Sequence, residues 1–206
     1  MKRLACLLTA IVGLAVFASS ADAAVPSCTK GGAKLIAMSG KTSVVSIPNR
    51  KTEGEDAYGC WIPTGKRFKL FTGLELDETT EWSIVGGRYI GVLRSFDGGV
   101  GGGGSAAASW DARKRIVVHN ARACDGILEN PDEEDSGTAG GPWHAVFFNG
   151  GGIAYTCANN LISRIADAKG DRLLEPNGTL VTALAVTPGG DRLYYMAGDI
   201  AKRLGV

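Results

Sequence analysis

The stretch Ala183-Leu184-Ala185-Val186-Thr187-Pro188-Gly189-Gly190-Asp191-Arg192-Leu193-Tyr194-Tyr195-Met196 decides the fold. Apolar, β-branched and aromatic residues flank a Pro-Gly-Gly turn, where glycine accepts a positive φ without steric cost, so the stretch reads as a β-hairpin. The polar pair Gly198-Asp199 follows, and Ile200-Ala201-Lys202-Arg203-Leu204 then supplies a third strand. The same order stands immediately upstream. Ala145 to Asn149 meets Gly150-Gly151-Gly152, then Ile153 to Cys157, then Asn159-Asn160, then Leu161 to Ile165.

Further towards the N-terminus, Glu81-Trp82-Ser83-Ile84-Val85 meets Gly86-Gly87 and continues as Arg88 to Leu93, with Arg115 to His119 completing that unit. Lys34 to Met38, Ser43 to Ile47, Gly59 to Ile62 and Phe68 to Phe71 supply the strands of an earlier unit. Few segments read as helix, and Leu161 to Ala168 is equally readable as a strand. Alternation within the runs is imperfect, which predicts strands covered on both faces. Gly151 and Gly190 stand 39 residues apart, near the period of a propeller blade. The expected fold is all-β and antiparallel, β-propeller-like with about four blade-like repeats; the alternative is an irregular β-barrel or sandwich.

The stretch from Ala183 to Tyr195 resembles the blade motif of bacterial propellers of the YVTN or WD40-like kind, with Gly189 where that motif often has Asp. The good match runs from Trp143 onward, and the whole chain resembles exported bacterial proteins built from such repeats. The resemblance implies a repeat scaffold that displays loops.

Residues 1–23 read as a signal peptide. Lys2 and Arg3 open the chain, an apolar run from Leu4 to Ala18 follows, and Ala21-Asp22-Ala23 is a cleavage site of small residues. The run is shorter than the ~20 apolar residues of a spanning helix. Export to a secreted, periplasmic or cell-envelope location is therefore expected, with 24–206 as a single all-β repeat domain and no membrane insertion after cleavage. The chain holds 22 basic and 21 acidic residues, and loss of Lys2, Arg3 and Asp22 leaves the charges balanced, which argues against nucleic acid as a partner. Cys28, Cys60, Cys124 and Cys157 remain after cleavage. An even number in an exported chain predicts disulfides, with Cys28–Cys60 and Cys124–Cys157 favoured because each joins near neighbours in sequence.

The segment Cys124 to Gly141 carries Asp125, Glu129, Asp132, Glu133 and Asp135 and reads as a long polar loop. Its carboxylates are the hard oxygen ligands that Ca²⁺ prefers, but adjacent side chains do not face one ion and the EF-hand spacing is missing. No metal site and no cofactor is expected, with calcium kept as the one alternative. Trp143 and His144 complete the candidate ligand-binding set; a packed hairpin entry is the simpler reading of both. About one tryptophan per unit (Trp61, Trp82, Trp110, Trp143) points to packing between sheets rather than to sugar stacking. The segment Asp97 to Ser105 is glycine-rich and reads as a loop. Gly40-Lys41-Thr42 has the end of a phosphate-binding loop, but Leu35 stands where the motif needs glycine. Ser105 lacks the second glycine of a nucleophile elbow.

These readings lead to an exported β-repeat binding or interaction module with a protein or carbohydrate partner. The alternatives are a small secreted hydrolase or lyase that uses His119 or His144 with acidic-loop residues, and a structural cell-envelope protein.

Overall fold

A computed structural model describes residues 25–51, 54–74, 78–96, 104–121, 142–157 and 160–206. Among the described residues fifteen strands form four antiparallel sheets, each a simple meander. The first sheet holds β1 (Lys34–Ser39), β2 (Thr42–Pro48), β3 (Glu55–Trp61) and β4 (Lys66–Leu74). The second holds β5 (Glu78–Val85), β6 (Tyr89–Phe96), β7 (Gly104–Asp111) and β8 (Ile116–Ala121). The third holds β9 (His144–Phe147), β10 (Ile153–Cys157), β11 (Ile162–Asp167) and β12 (Gly170–Leu173). The fourth has three strands, β13 (Val181–Val186), β14 (Arg192–Ala197) and β15 (Ile200–Gly205). The fold is all-β and propeller-like, with one sheet for each repeat.

Each hairpin read from the sequence is present. The second and third units each carry one strand more than the sequence reading predicts. In the second unit this is the alanine-rich β7, which begins at Gly104, so Gly104 and Ser105 belong to a strand rather than to the expected loop. The rest of that loop, 97–103, lies outside the described residues, as do 1–24, which include the expected signal peptide 1–23, and 122–141, which include the expected acidic loop Cys124 to Gly141.

The sheets stack through their apolar faces. Val44 of the first sheet meets Ile90, Val92 and Trp110 of the second. Leu93 and Ala107 of the second meet Phe147, Ile153 and Tyr155 of the third. Ala154 and Ile165 of the third meet Val181, Leu193 and Tyr195 of the fourth. Strands inside the stack are covered on both faces: all five residues of β10 are buried, as are the first five of β2. This is why the sequence alternates poorly there. Among the described residues no core cluster joins the fourth sheet to the first.

The glycine turns explain how the sheets sit so close. Each lies at the first hairpin of its sheet, and each rests on the next. Lys41 N–H and the Thr42 hydroxyl donate to the Gly87 carbonyl, at 3.3 and 2.8 Å. Asn149 N–H donates to the Gly190 carbonyl at 2.8 Å, and its side-chain amide donates to that of Gly189. A Cβ at Gly40 would lie 2.9 Å from Gly87 Cα, and one at Gly86 would lie 2.7 Å from Asn149 Oδ1. Gly40-Lys41-Thr42 is thus a packed hairpin turn rather than a phosphate loop.

The free face of the first sheet is covered by the chain's own N-terminal segment. A four-residue helix, Val25–Cys28, leads into a turn, and Cys28 and Ala33 pack on Val45, Cys60 and Tyr58. The Cys28–Cys60 disulfide fastens this cap to β3. Cys157 is also disulfide-bonded; its expected partner Cys124 lies outside the described residues. No helix among the described residues is long and apolar enough to cross a membrane.

Candidate functional site

The strands that follow each inter-sheet connection, β5, β9 and β13, are edge strands of their sheets, and they converge on one groove. Two adjoining cavities of about 330 Å³ each make it up. One runs beside the glycine turns, between Ser83 to Val85, Phe147 and Thr187. The other lies at the far end, between His144, Thr156, Thr182 and Ala183. Glu81, Ala145 and Val146 line both.

Glu81 stands out by what it lacks. Most carboxylates of the described structure hold a cation. Asp56 accepts from Lys69 at 2.7 Å, Asp111 from Arg88 at 2.5 Å, Asp171 from Arg164 at 2.9 Å and Asp167 from Arg172 at 2.6 Å. Glu175 accepts from Lys202 at 2.7 Å, and Asp191 lies 3.7 Å from Arg192. Lys69's hydrogen bond holds Asp56 below the usual carboxylate range. At Asp111 burial pushes upward, but Arg88 and the N–H groups of Lys114 and Arg113 outweigh it and the net shift is downward. Among the described residues the Glu81 side chain makes neither an ion pair nor a hydrogen bond, although it lines both cavities. Glu55 and Asp199 are the other described carboxylates without an ion pair, and neither lines the groove.

His144 lines the far cavity and is exposed, and its side chain has no hydrogen-bond partner among the described residues. Beside it, Trp143 is 54% exposed and anchors only its backbone, donating N–H to the Thr156 carbonyl at 2.8 Å. Trp143 thus departs from the packing role expected of the tryptophans. The other three join the core between the first two sheets, where Trp82 stacks on Phe71 with ring centroids 5.5 Å apart. The wall of the far cavity also holds a distorted strand. Ala183 has φ 54° within β13, and the pairing with β14 slips between Thr182 and Ala185. A non-glycine residue in that region costs about 1–2 kcal/mol, and bulges of this kind re-aim backbone beside binding sites.

His119 is elsewhere. It lies on β8, the outer strand of the second sheet, half-buried against the third. Burial lowers its pKa, while Asp167 and Asp171 act in the opposite sense. The fold therefore separates His119 from His144. Ser105 donates its hydroxyl to the Pro142 carbonyl at 2.6 Å and joins no histidine. Asp125, Glu129, Asp132, Glu133 and Asp135 lie outside the described residues, and among the described residues no cluster of three or more metal-ligating side chains occurs.

The groove residue that sequence reading passes over is Glu81. A signal was present: Glu81 stands five places before the turn glycine Gly86, and Ala145 five places before Gly150, so Glu81 and His144 occupy neighbouring levels of equivalent strands.

No protein-family model and no curated protein matches this chain. Among solved structures, the chain is similar to the tricorn protease, with TM-score 0.41, 13% identity and coverage of 78% of this chain and 14% of that one. It is similar to the hydrazine synthase of Kuenenia stuttgartiensis, with TM-score 0.40, 12% identity and coverage of 81% and 56%. It is also similar to TolB from Acinetobacter baumannii, with TM-score 0.25, 15% identity and coverage of 81% and 52%. The chain spans little more than half of these proteins at most.

Proposed function

We propose that the protein is an exported binding module whose ligand sits in the groove between β5, β9 and β13. The observation that carries this reading is the pair Glu81 and His144. Both are polar, neither side chain has a hydrogen-bond or ion-pair partner among the described residues, and both line a groove otherwise walled by small and apolar residues. Such concave surfaces with a few convergent polar groups are where ligands bind, and a stack of repeats holds them rigid. The Cys28–Cys60 disulfide fits an oxidising compartment.

The test is a thermal melt of the oxidised protein against sugars, polysaccharide fragments, short peptides and Ca²⁺, repeated with Ala145→Trp to fill the groove. A ligand at a hundredfold excess over its Kd adds ~2.7 kcal/mol to the native state. A ligand that stabilises the parent and not the filled variant supports the reading. One that stabilises both equally places binding elsewhere and ends it. Export is tested separately: the mature chain recovered from the producing cells is expected to begin at Ala24.

A further inference from the structure

We infer that the ligand of this groove is an extended peptide segment carrying a lysine or arginine, whose cationic group is held by Glu81. The inference rests on the groove reading above and adds the chemistry of its occupant.

Two independent features point this way. The first is charge. Among the described residues, Asp56, Asp111, Asp167, Asp171 and Glu175 are neutralised by arginines and lysines, whereas the Glu81 side chain, which lines the groove, makes no ion pair. Among the described residues neither cavity is lined by a lysine or arginine. An ammonium or guanidinium donates to a carboxylate in the stronger, charge-assisted class of hydrogen bonds.

The second is backbone. Among the described residues β9 pairs only with β10, and β13 only with β14. In an antiparallel pair, alternate residues turn their N–H and C=O groups away from the partner strand, so both strands present a row of such groups along the groove. Extended peptides bind by matching such rows, with pockets for alternate side chains supplying specificity. The bulge at Ala183 interrupts β13 beside the far cavity, which Glu81 also lines.

The experiment titrates the oxidised protein with a capped Ala-Lys-Ala-Ala peptide, its norleucine analogue and lysine amide alone. Calorimetry reads affinity, and backbone amide shifts read location. Expected results are movement of β9 and β13 amides with the lysine peptide, weaker binding of the norleucine analogue by about fivefold, and still weaker binding of lysine amide. Glu81→Gln is expected to erase the difference between the two peptides without changing the melting temperature. Asp199→Asn, a bare carboxylate outside the groove, is expected to preserve it. A norleucine analogue that binds as well as the lysine peptide, or a preference that survives Glu81→Gln, overturns the role of Glu81 and leaves the groove reading intact. Lysine amide binding as tightly as the peptide overturns the extended-peptide part. If no groove amide moves with any probe, this inference fails; the groove reading itself is then judged by whether any ligand of the thermal panel discriminates the Ala145→Trp variant.

Discussion

At the scale of single residues, two side-chain choices carry measurable consequences. Gly190 has φ +72°, and a Cβ there would stand 2.5 Å from Val85 Cγ1 and 2.9 Å from the Asn149 backbone nitrogen. Neither is the free end of a flexible chain, so Gly190→Ala must push two sheets apart; a loss of about 2–4 kcal/mol in urea unfolding is expected. Gly198 has φ +57° with nothing near its Cβ position, and Gly198→Ala should cost only the backbone term of about 1 kcal/mol. Equal losses would mean that turn stacking contributes nothing. Tyr195 gives a pH signature. Burial, helped by the 2.8 Å hydrogen bond it donates to Glu175, pushes its hydroxyl up to about 12. The neutral phenol is thus favoured in the native state. Its contribution is fully present below the unfolded value near 10 and is lost as pH rises from there through about 12. Tyr155, raised in the same sense by burial and by Asp171, adds to the loss. Stability measured against pH should fall across that window, and Tyr195→Phe should flatten the fall.

At the scale of elements, the hairpins were legible because their turns are glycine and their strands are β-branched and aromatic. Two strands were hidden for physical reasons. β7 reads Gly-Ser-Ala-Ala-Ala-Ser-Trp-Asp, with no intrinsic strand signal before Trp110; Ala107 and Ser109 are small because they face the third sheet at close range, where Ser109 donates its hydroxyl to the Gly151 carbonyl. β12 reads Gly-Asp-Arg-Leu and is held through polar contacts, Asp171 accepting from Arg164 and Tyr155, and Arg172 donating to Asp167. The groove was illegible for a related reason: Glu81, His144 and Thr182 stand on three strands that only sheet stacking brings together. The N-terminal cap was legible only as a cysteine pair. Its disulfide closes a sequence separation of 32, and removing both cysteines as Cys28→Ser with Cys60→Ser is expected to cost about 3–4 kcal/mol in urea unfolding. A loss near zero would show that the cap docks firmly without its covalent tie.

At the scale of the molecule, the stack has unlike ends. The first sheet is covered by the second on one face and by the disulfide-tied cap on the other. The fourth sheet packs on the third through Val181, Leu193, Tyr195 and Ala197, and leaves Tyr194 and Ile200 exposed. Stability in such a stack is a sum of unit terms and neighbour terms, so the fourth-sheet end, which has no cap among the described residues, should open first. Leu193 is the test position: it is fully buried at the interface of the third and fourth sheets and touches no other unit's core. Leu193→Ala removes a buried aliphatic side chain and is expected to cost about 2–5 kcal/mol. Native-state hydrogen exchange should show where that cost falls. If neighbour terms dominate, amides of β14 and β15 lose protection while those of β2 and β6 keep theirs, because the cores between the first three sheets do not include Leu193. A uniform loss of protection across β2, β6, β10 and β14 would instead mean that the four sheets open as one unit. In that case the stacked turns, which join every sheet to the next through Gly87, Asn149 and Gly190, would bind the molecule more strongly than the faces do.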